Sequence, residues 1–248
     1  MNKKKIFIVL QARMGSSRLP GKVLMEINGK PLLWYLLKRL EPLANRADLL
    51  LATTDSEKDQ VLEEFAKQNR LKYFRGSEND VLDRFYQALK PYITDIVVRI
   101  TADCPLTDPK IIEQGLDIFE SNDYDYLSNV HPPTFPDGFD VEIFSFKALE
   151  KAWEEAKKQH EREHVTPYIW NNPSIFKLGN FNNSENLSNY RLTVDEKEDF
   201  ELMKNLIEHF KEKWINLSMN EIINFLRERQ ELIELNKKFK RNEGYKES

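Results

Sequence analysis

The sequence predicts a three-layer α/β domain with a mostly parallel sheet. Three observations carry this. Near-continuous apolar runs at 6–10, 49–53 and 96–101 have strand length and suit strands covered on both faces. Stretches with apolar residues at helical spacing separate them, and cap or turn residues stand at the joints. Strand and helix therefore alternate as in crossover units.

The run 6–10 opens the sheet. A polar loop holding Gly15, Pro20 and Gly21 leads to an amphipathic helix over 31–43, begun by Pro31. Strand 49–53 follows, Ser56 caps a helix over 56–68, and 71–74 is a short strand. Asn79 or Asp80 opens a helix over 80–89, and strand 96–101 runs into a loop before a helix over 109–120. The second half is less regular. Asp137-Gly138, followed by apolar and acidic residues in alternation to Phe144, predicts a strand with one polar face. Ser145 caps a helix over 145–158, Thr193-Val194-Asp195 ends a strand, and 196–210 is an acid-rich helix. Ser218 and Glu221 form a capping box that opens a last helix, with Ile222, Ile223, Phe225, Leu226, Leu232, Ile233 and Leu235 on its apolar side. The polar end, 241–248, is expected to fray. Residues 1–212 read as the main domain and 213–248 as a C-terminal helical extension.

Charged residues at 31% and hydrophobic ones at 40% are ordinary for a globular protein. The single cysteine, Cys104, excludes an intramolecular disulfide framework and a cysteine-rich zinc site, which favours a reducing, cytoplasmic setting. The run 6–10 is too short for a signal-peptide core, and no run has the length of a membrane span. The net charge of −4 hides an asymmetry: the first 40 residues hold nine Lys or Arg against one acid, Glu26. Such an end suits anions, whether nucleic acid or nucleotide phosphates. Lys3, Lys4 and Lys5 read as solvated residues ahead of the first strand.

The chemistry concentrates in Gln11-Ala12-Arg13-Met14-Gly15-Ser16-Ser17-Arg18-Leu19-Pro20-Gly21-Lys22, which leaves the end of the first strand, where open α/β sheets hold their ligands. Small residues let backbone amides approach phosphate oxygens, and Arg13, Arg18 and Lys22 supply the charge a triphosphate needs. The Gly-Lys-Ser/Thr ending of a Walker loop is missing. Elsewhere, His160-Glu161-Arg162-Glu163-His164 satisfies His-Glu-x-x-His, in which two histidines one helical turn apart bind zinc and the glutamate acts as base. A zinc peptidase is therefore one alternative, although the surrounding helix is highly charged and Pro167 follows closely. Cys104 has no His and Asp pattern that would make it a nucleophile.

Arg13-x-x-Ser16-x-Arg18-Leu19-Pro20-Gly21-Lys22 resembles the signature loop of sugar cytidylyltransferases, especially 3-deoxy-manno-octulosonate cytidylyltransferase and the SpsF-like spore coat polysaccharide proteins. Further stretches match the SpsF-like pattern in order: Gly76-x-x-x-Asp80-Val81-Leu82-x-Arg84-Phe85, Thr101-Ala102-Asp103-Cys104-Pro105-Leu106, Asp137-Gly138-Phe139-Asp140-Val141-Glu142, Glu161-Arg162-Glu163-His164-Val165-Thr166-Pro167-Tyr168, and Arg191-Leu192-Thr193-Val194-Asp195. The resemblance implies a Rossmann-like nucleotide-diphospho-sugar transferase fold, CTP and a sugar acceptor as partners, and magnesium (Mg2+) as cofactor. It leaves room for a homodimer and implies neither nucleic acid nor membrane. By motif, Gln11, Ala12, Arg13, Gly15, Ser16, Arg18 and Lys22 would hold the triphosphate, with Arg13, Arg18 and Lys22 catalytic. Gly76, Asp80 and Arg84, and the stretch from Arg99 through Thr101 to Ala102, would lie near the nucleoside, and Asp103 and Asp195 would bind the metal. Asp137, Asp140, Glu142, Glu163, His164 and Tyr168 would contact the acceptor, with a solvent-facing strand edge or a dimer hairpin the equal alternative for Asp137, Asp140 and Glu142. The middle third follows the SpsF-like pattern and not that of the octulosonate enzyme, so the expected acceptor is a sugar acid other than octulosonate, or a sugar or polyol phosphate. A non-catalytic nucleotide-binding regulator is the other alternative.

Overall fold

Strand β1 (Ile6–Gln11) is apolar because helices cover both its faces. Ile6, Ile8 and Leu10 enter one core, and Phe7 and Val9 enter the other. The computed structural model describes residues 4–241. Its other strands are β2 (Glu26–Ile27), β3 (Lys30–Pro31), β4 (Asp48–Thr54), β5 (Lys72–Gly76), β6 (Ile96–Thr101), β7 (Tyr126–Ser128), β8 (Glu142–Ser145) and β9 (Leu178–Asn180). The α-helices are α1 (Leu32–Leu40), α2 (Gln60–Gln68), α3 (Val81–Leu89), α4 (Pro109–Ser121), α5 (Phe146–Glu155), α6 (Gln159–His164), α7 (Pro167–Trp170), α8 (Lys197–Phe210), α9 (Met219–Glu228) and α10 (Gln230–Ile233).

Seven strands form one sheet in the order β5-β4-β1-β6-β8-β7-β9. β5, β4, β1 and β6 run parallel, β8 is antiparallel to β6 and β7, and β9 is parallel to β7. The chain goes from β1 outward to β4 and β5, then returns past β1 to β6. The strand order thus reverses between β1 and β6, and a crevice opens at their carboxyl ends. β2 and β3 form a small hairpin turned by Asn28 and Gly29, both at positive φ.

The parallel half matches expectation closely, and the departures have local causes. The helix predicted over 31–43 ends at Leu40 and continues as a 3-10 turn, Glu41–Asn45, because Pro42 has no N–H to extend the α-helical ladder. Ser56 makes no side-chain cap bond and precedes a 3-10 turn, Glu57–Asp59, before α2 begins. The predicted strand over 137–144 is regular only from Glu142, and Thr193-Val194-Asp195 is not a strand. The final helix breaks at Arg229, so α9 and α10 replace one long helix.

Leu217, Met219, Ile222, Ile223 and Leu226 pack into the same core as β1 and α1. Arg39, wholly buried on α1, ties this segment down by donating to the carbonyls of Thr107 (3.0 Å), Trp214 (2.5 Å) and Leu217 (2.6 Å). Asp108 caps α4 through Lys110 N and also accepts from Met219 N at 3.0 Å. Arg241, expected to fray, is instead anchored among the residues at the sheet's carboxyl edge. Residues 242–248, and Lys3 at the other end, lie outside the described residues. Lys5 is exposed but pairs with Asp48.

Candidate active site

The loop after β1 closes on itself. Gly21 N donates to Met14 O at 2.9 Å, with Gly21 in the left-handed region at φ 73°, and Ser16 Oγ accepts from Leu19 N at 3.4 Å. Asp59, buried behind the loop, accepts from Met14 N (2.8 Å), Thr53 Oγ1 (2.9 Å), Thr54 N (3.1 Å) and Thr54 Oγ1 (2.6 Å). Gln11 O accepts from Ala102 N, and Ala12 N donates to Ala52 O, so both loop roots are pinned to neighbouring strands. Arg13, Gly15 and Arg18 face solvent, which leaves the loop's rim cationic.

Lys22 is not on that rim. Its buried ammonium lies 2.5 Å from Asp103 Oδ2 and 2.6 Å from Asp195 Oδ1. Burial alone would lower its pKa, yet the two carboxylates outweigh that and raise it. Burial likewise opposes ionisation of Asp103, but Lys22 brings its carboxyl down to about 2. Arg18 Nη2 (2.9 Å) and Arg191 Nη2 (3.2 Å) hold the other Asp195 oxygen.

Two irregular segments bring Asp195 to this point. Asp137 N donates to Tyr190 O (3.0 Å), Leu192 N to Asp137 O (2.7 Å), and Val194 N to Asp103 O (2.8 Å). Gly138, at φ 104°, permits the crossing: a Cβ there would stand 2.5 Å from the Leu192 carbonyl carbon. Arg191 sits beneath, bonding Asp137 (3.1 Å) and both oxygens of buried Asp199 (2.9 Å each).

The carboxylate pair opens on a cavity of about 460 Å³ that Thr101, Asp137, Asp140, Glu142 and His164 help to line, together with Arg99, expected near the nucleoside, and with His131 and Arg241, which sequence reasoning missed. Glu142 was expected on a polar strand face for an acceptor, but it is buried. Its Oε1 accepts from Tyr126 and Thr166 hydroxyls at 2.6 Å each, and its Oε2 pairs with Arg99, so it positions that arginine. Arg99 Nε also donates to Gln11 Oε1 at 3.1 Å, linking cavity and loop. Burial pushes the Asp140 carboxyl up to about 7, against Arg241, with Asp137 and Glu142 adding to the rise. Burial lowers the pKa of both His131 and His164.

Several expected contacts lie elsewhere. Tyr168 gives its hydroxyl to Glu155 at 2.6 Å on the surface, and Glu163 does not line the cavity. Asp80 caps α3 through Asp83 N and pairs with Arg162 through both oxygens (2.6–3.0 Å), while buried Arg84 braces the Ser77 carbonyl at 2.9 Å beside Gly76. This stretch thus shapes the wall behind the loop. In the His-Glu-x-x-His segment, Glu161 accepts from the backbone N–H groups of Lys157 and Lys158 as part of a capping box, which commits the carboxylate a zinc peptidase would use as base.

Asp103 and Asp195 direct one oxygen each at a single cation, an arrangement that suits a hard divalent ion completed by phosphate and water oxygens. Among the described residues no group of three or more His, Cys, Asp or Glu forms a complete protein cage for a metal.

A family model described as cytidylyltransferase matches residues 6–244. The sequence is 40% identical over 245 residues to an uncharacterized protein of Methanocaldococcus jannaschii, covering 98% of each chain. It is 34% identical over 230 residues to the spore coat polysaccharide biosynthesis protein SpsF of Bacillus subtilis, covering 89% of this chain and 93% of that one. The fold is similar to that of a cytidylyltransferase from Leptospira borgpetersenii serovar Hardjo-bovis, with a TM-score of 0.86 and 38% identity over 93% of this chain and 97% of that chain.

Proposed function

Because this chain belongs to the cytidylyltransferase family and has its Rossmann-like fold, we propose that it transfers CMP from CTP to a sugar acid, or to a sugar or polyol phosphate, and releases pyrophosphate for surface polysaccharide synthesis. The single observation that carries the reading is the Lys22 clamp on Asp103 and Asp195, set between a cationic loop and a cavity of sugar size.

The acceptor oxygen attacks the α-phosphorus in line, the bond to the bridging oxygen breaks, and pyrophosphate leaves with the electron pair. A hydroxyl acceptor gives its proton to solvent. Arg13 and Arg18, on the loop's open rim, neutralise the leaving pyrophosphate. Lys22, which reaches both carboxylates, is the cation placed to contact the α-phosphate. Asp103 and Asp195 would hold magnesium, which would supply Lewis-acid charge at the phosphate oxygens. Arg99, fixed by Gln11 and Glu142, couples the nucleotide loop to the acceptor cavity.

Pyrophosphate release, measured with each of four nucleoside triphosphates against a panel of sugar acids and sugar phosphates, tests this. Release with CTP and one acceptor class is expected, and Asp103→Asn should abolish it while leaving the fold intact. Tight CTP binding with no release in any combination would instead mark a nucleotide-binding regulator.

A further inference from the structure

The last described residues of the chain are built into the cavity wall. Asn236, buried, donates from Nδ2 to Arg191 O (3.0 Å) and Asp199 Oδ1 (2.8 Å), so it rests on the residues that hold Asp195. The Phe239 ring lies 5.9 Å from the Arg191 guanidinium. Arg241 then enters the cavity lining, where Nη1 donates to Phe135 O at 3.1 Å and Nη2 pairs with Asp140.

Three arginines line this cavity, and their counter-ions differ. Arg18 pairs with Asp195, which Lys22 and Arg191 also hold. Arg99 pairs with Glu142, which the Tyr126 and Thr166 hydroxyls lock in place. Asp140 is held by Arg241 and, among the described residues, has no such second clamp, and about a third of its side chain stays open. Its pKa is raised, due first to burial, which weakens its hold on the guanidinium. An acceptor anion entering a cavity that already carries Asp137, Asp140 and Glu142 needs a cation whose existing partner can give way.

We propose that the segment from Asn236 to Arg241 completes the acceptor subsite and that Arg241 binds the anionic group of the acceptor, carboxylate or phosphate, in exchange for Asp140. This rests on the transferase reading above. It makes Arg241 a specificity-determining residue for charged over neutral acceptors. A planar guanidinium gives either anion a paired, charge-assisted contact, which an ammonium only partly replaces.

The test uses the full chain with Arg241→Gln and Arg241→Lys. Pyrophosphate release is measured with 3-deoxy-manno-octulosonate, a hexose 1-phosphate and a neutral hexitol, and CTP affinity is measured separately by calorimetry. For the charged acceptor used by the unaltered enzyme, Arg241→Gln should lower kcat/KM by about tenfold to a hundredfold, mostly through KM, the loss of one charge-assisted contact. Arg241→Lys should recover part of it, and CTP affinity should stay within twofold in both variants. The acid and the phosphate arms show which anion is bound. Unchanged kcat/KM in Arg241→Gln or an equal fall in CTP affinity would each overturn the assignment while leaving the transferase reading standing, and preferred use of the neutral hexitol by the unaltered enzyme would overturn the assignment together with the charged acceptor class of that reading. Release with no acceptor at all would overturn both.

Discussion

Replacing Lys22 with methionine keeps most of the side-chain bulk and removes the charge between Asp103 and Asp195. Their facing oxygens, each within 2.6 Å of the Lys22 nitrogen, are then no more than about 5 Å apart, so at an effective dielectric constant of about 20 they repel by at least about 3 kcal/mol. Arg18 and Arg191 remain on Asp195 and offset part of this, while the uncompensated burial of Asp103 adds to it. The expected loss of unfolding free energy in chelator is therefore about 3 kcal/mol, in the range measured when one partner of a buried ion pair is removed. Magnesium should restore most of it in the variant, because a divalent ion can take the vacated position, and should stabilise the unaltered protein far less. Urea unfolding with and without millimolar magnesium reads both quantities, and pyrophosphate release should fall at least about a hundredfold in the variant, as expected for loss of charge stabilisation in the transition state. Equal stability of the two proteins in chelator, or an equal response to magnesium, would refute the placement of Lys22 as the internal counter-ion of a metal site.

Asp140 and Asp59 give two further checks. The Asp140 carboxyl is raised from 3.8 to about 7, so between those values the folded protein keeps a proton the unfolded chain has released, and stability falls as pH rises through that window. Asp140→Asn cannot ionise, so its urea midpoint should decline less from pH 4 to pH 8, with the largest gain over the unaltered protein at the upper end; parallel declines would assign the slope to other groups. Asp59→Asn removes an acceptor from the group that holds Met14 N and Thr54, and should weaken CTP binding about tenfold, the scale of one lost charged hydrogen bond, without changing the acceptor KM. Calorimetric titration of CTP showing equal affinity would remove Asp59 from the positioning of the loop.

The parallel half was legible because its signals are local. The run 6–10 has no polar residue to confuse, and Asp80 caps its helix through an amide three residues on. The cationic loop and Asp103 were also legible, since the loop follows β1 and Asp103 follows β6, two strands that could be recognised. The second half hides its logic in contacts between distant residues. Glu142 looked like the polar face of a strand, and only Arg99, Tyr126 and Thr166, from other parts of the chain, make its burial tolerable. Asp195 reaches its position on irregular backbone that Gly138 admits, and no periodicity records such a crossing. Arg241 looked like the start of a frayed end because its partner stands 101 residues earlier. His160 and His164 satisfied a metal pattern by spacing alone, while the carboxylate between them was already serving a helix start.

The separations within the Lys22 clamp bear on the order in which the molecule assembles. Lys22 is 81 residues from Asp103 and 173 from Asp195. Closing spans of that length is entropically costly and slow, and it cannot be completed until β1, β6 and the crossing beneath Gly138 are all in place. The three groups therefore meet late, after most of the sheet has paired. Recovery of pyrophosphate release during refolding should lag behind recovery of the helical signal, so catalytic competence serves as a clock for the last event on the folding path.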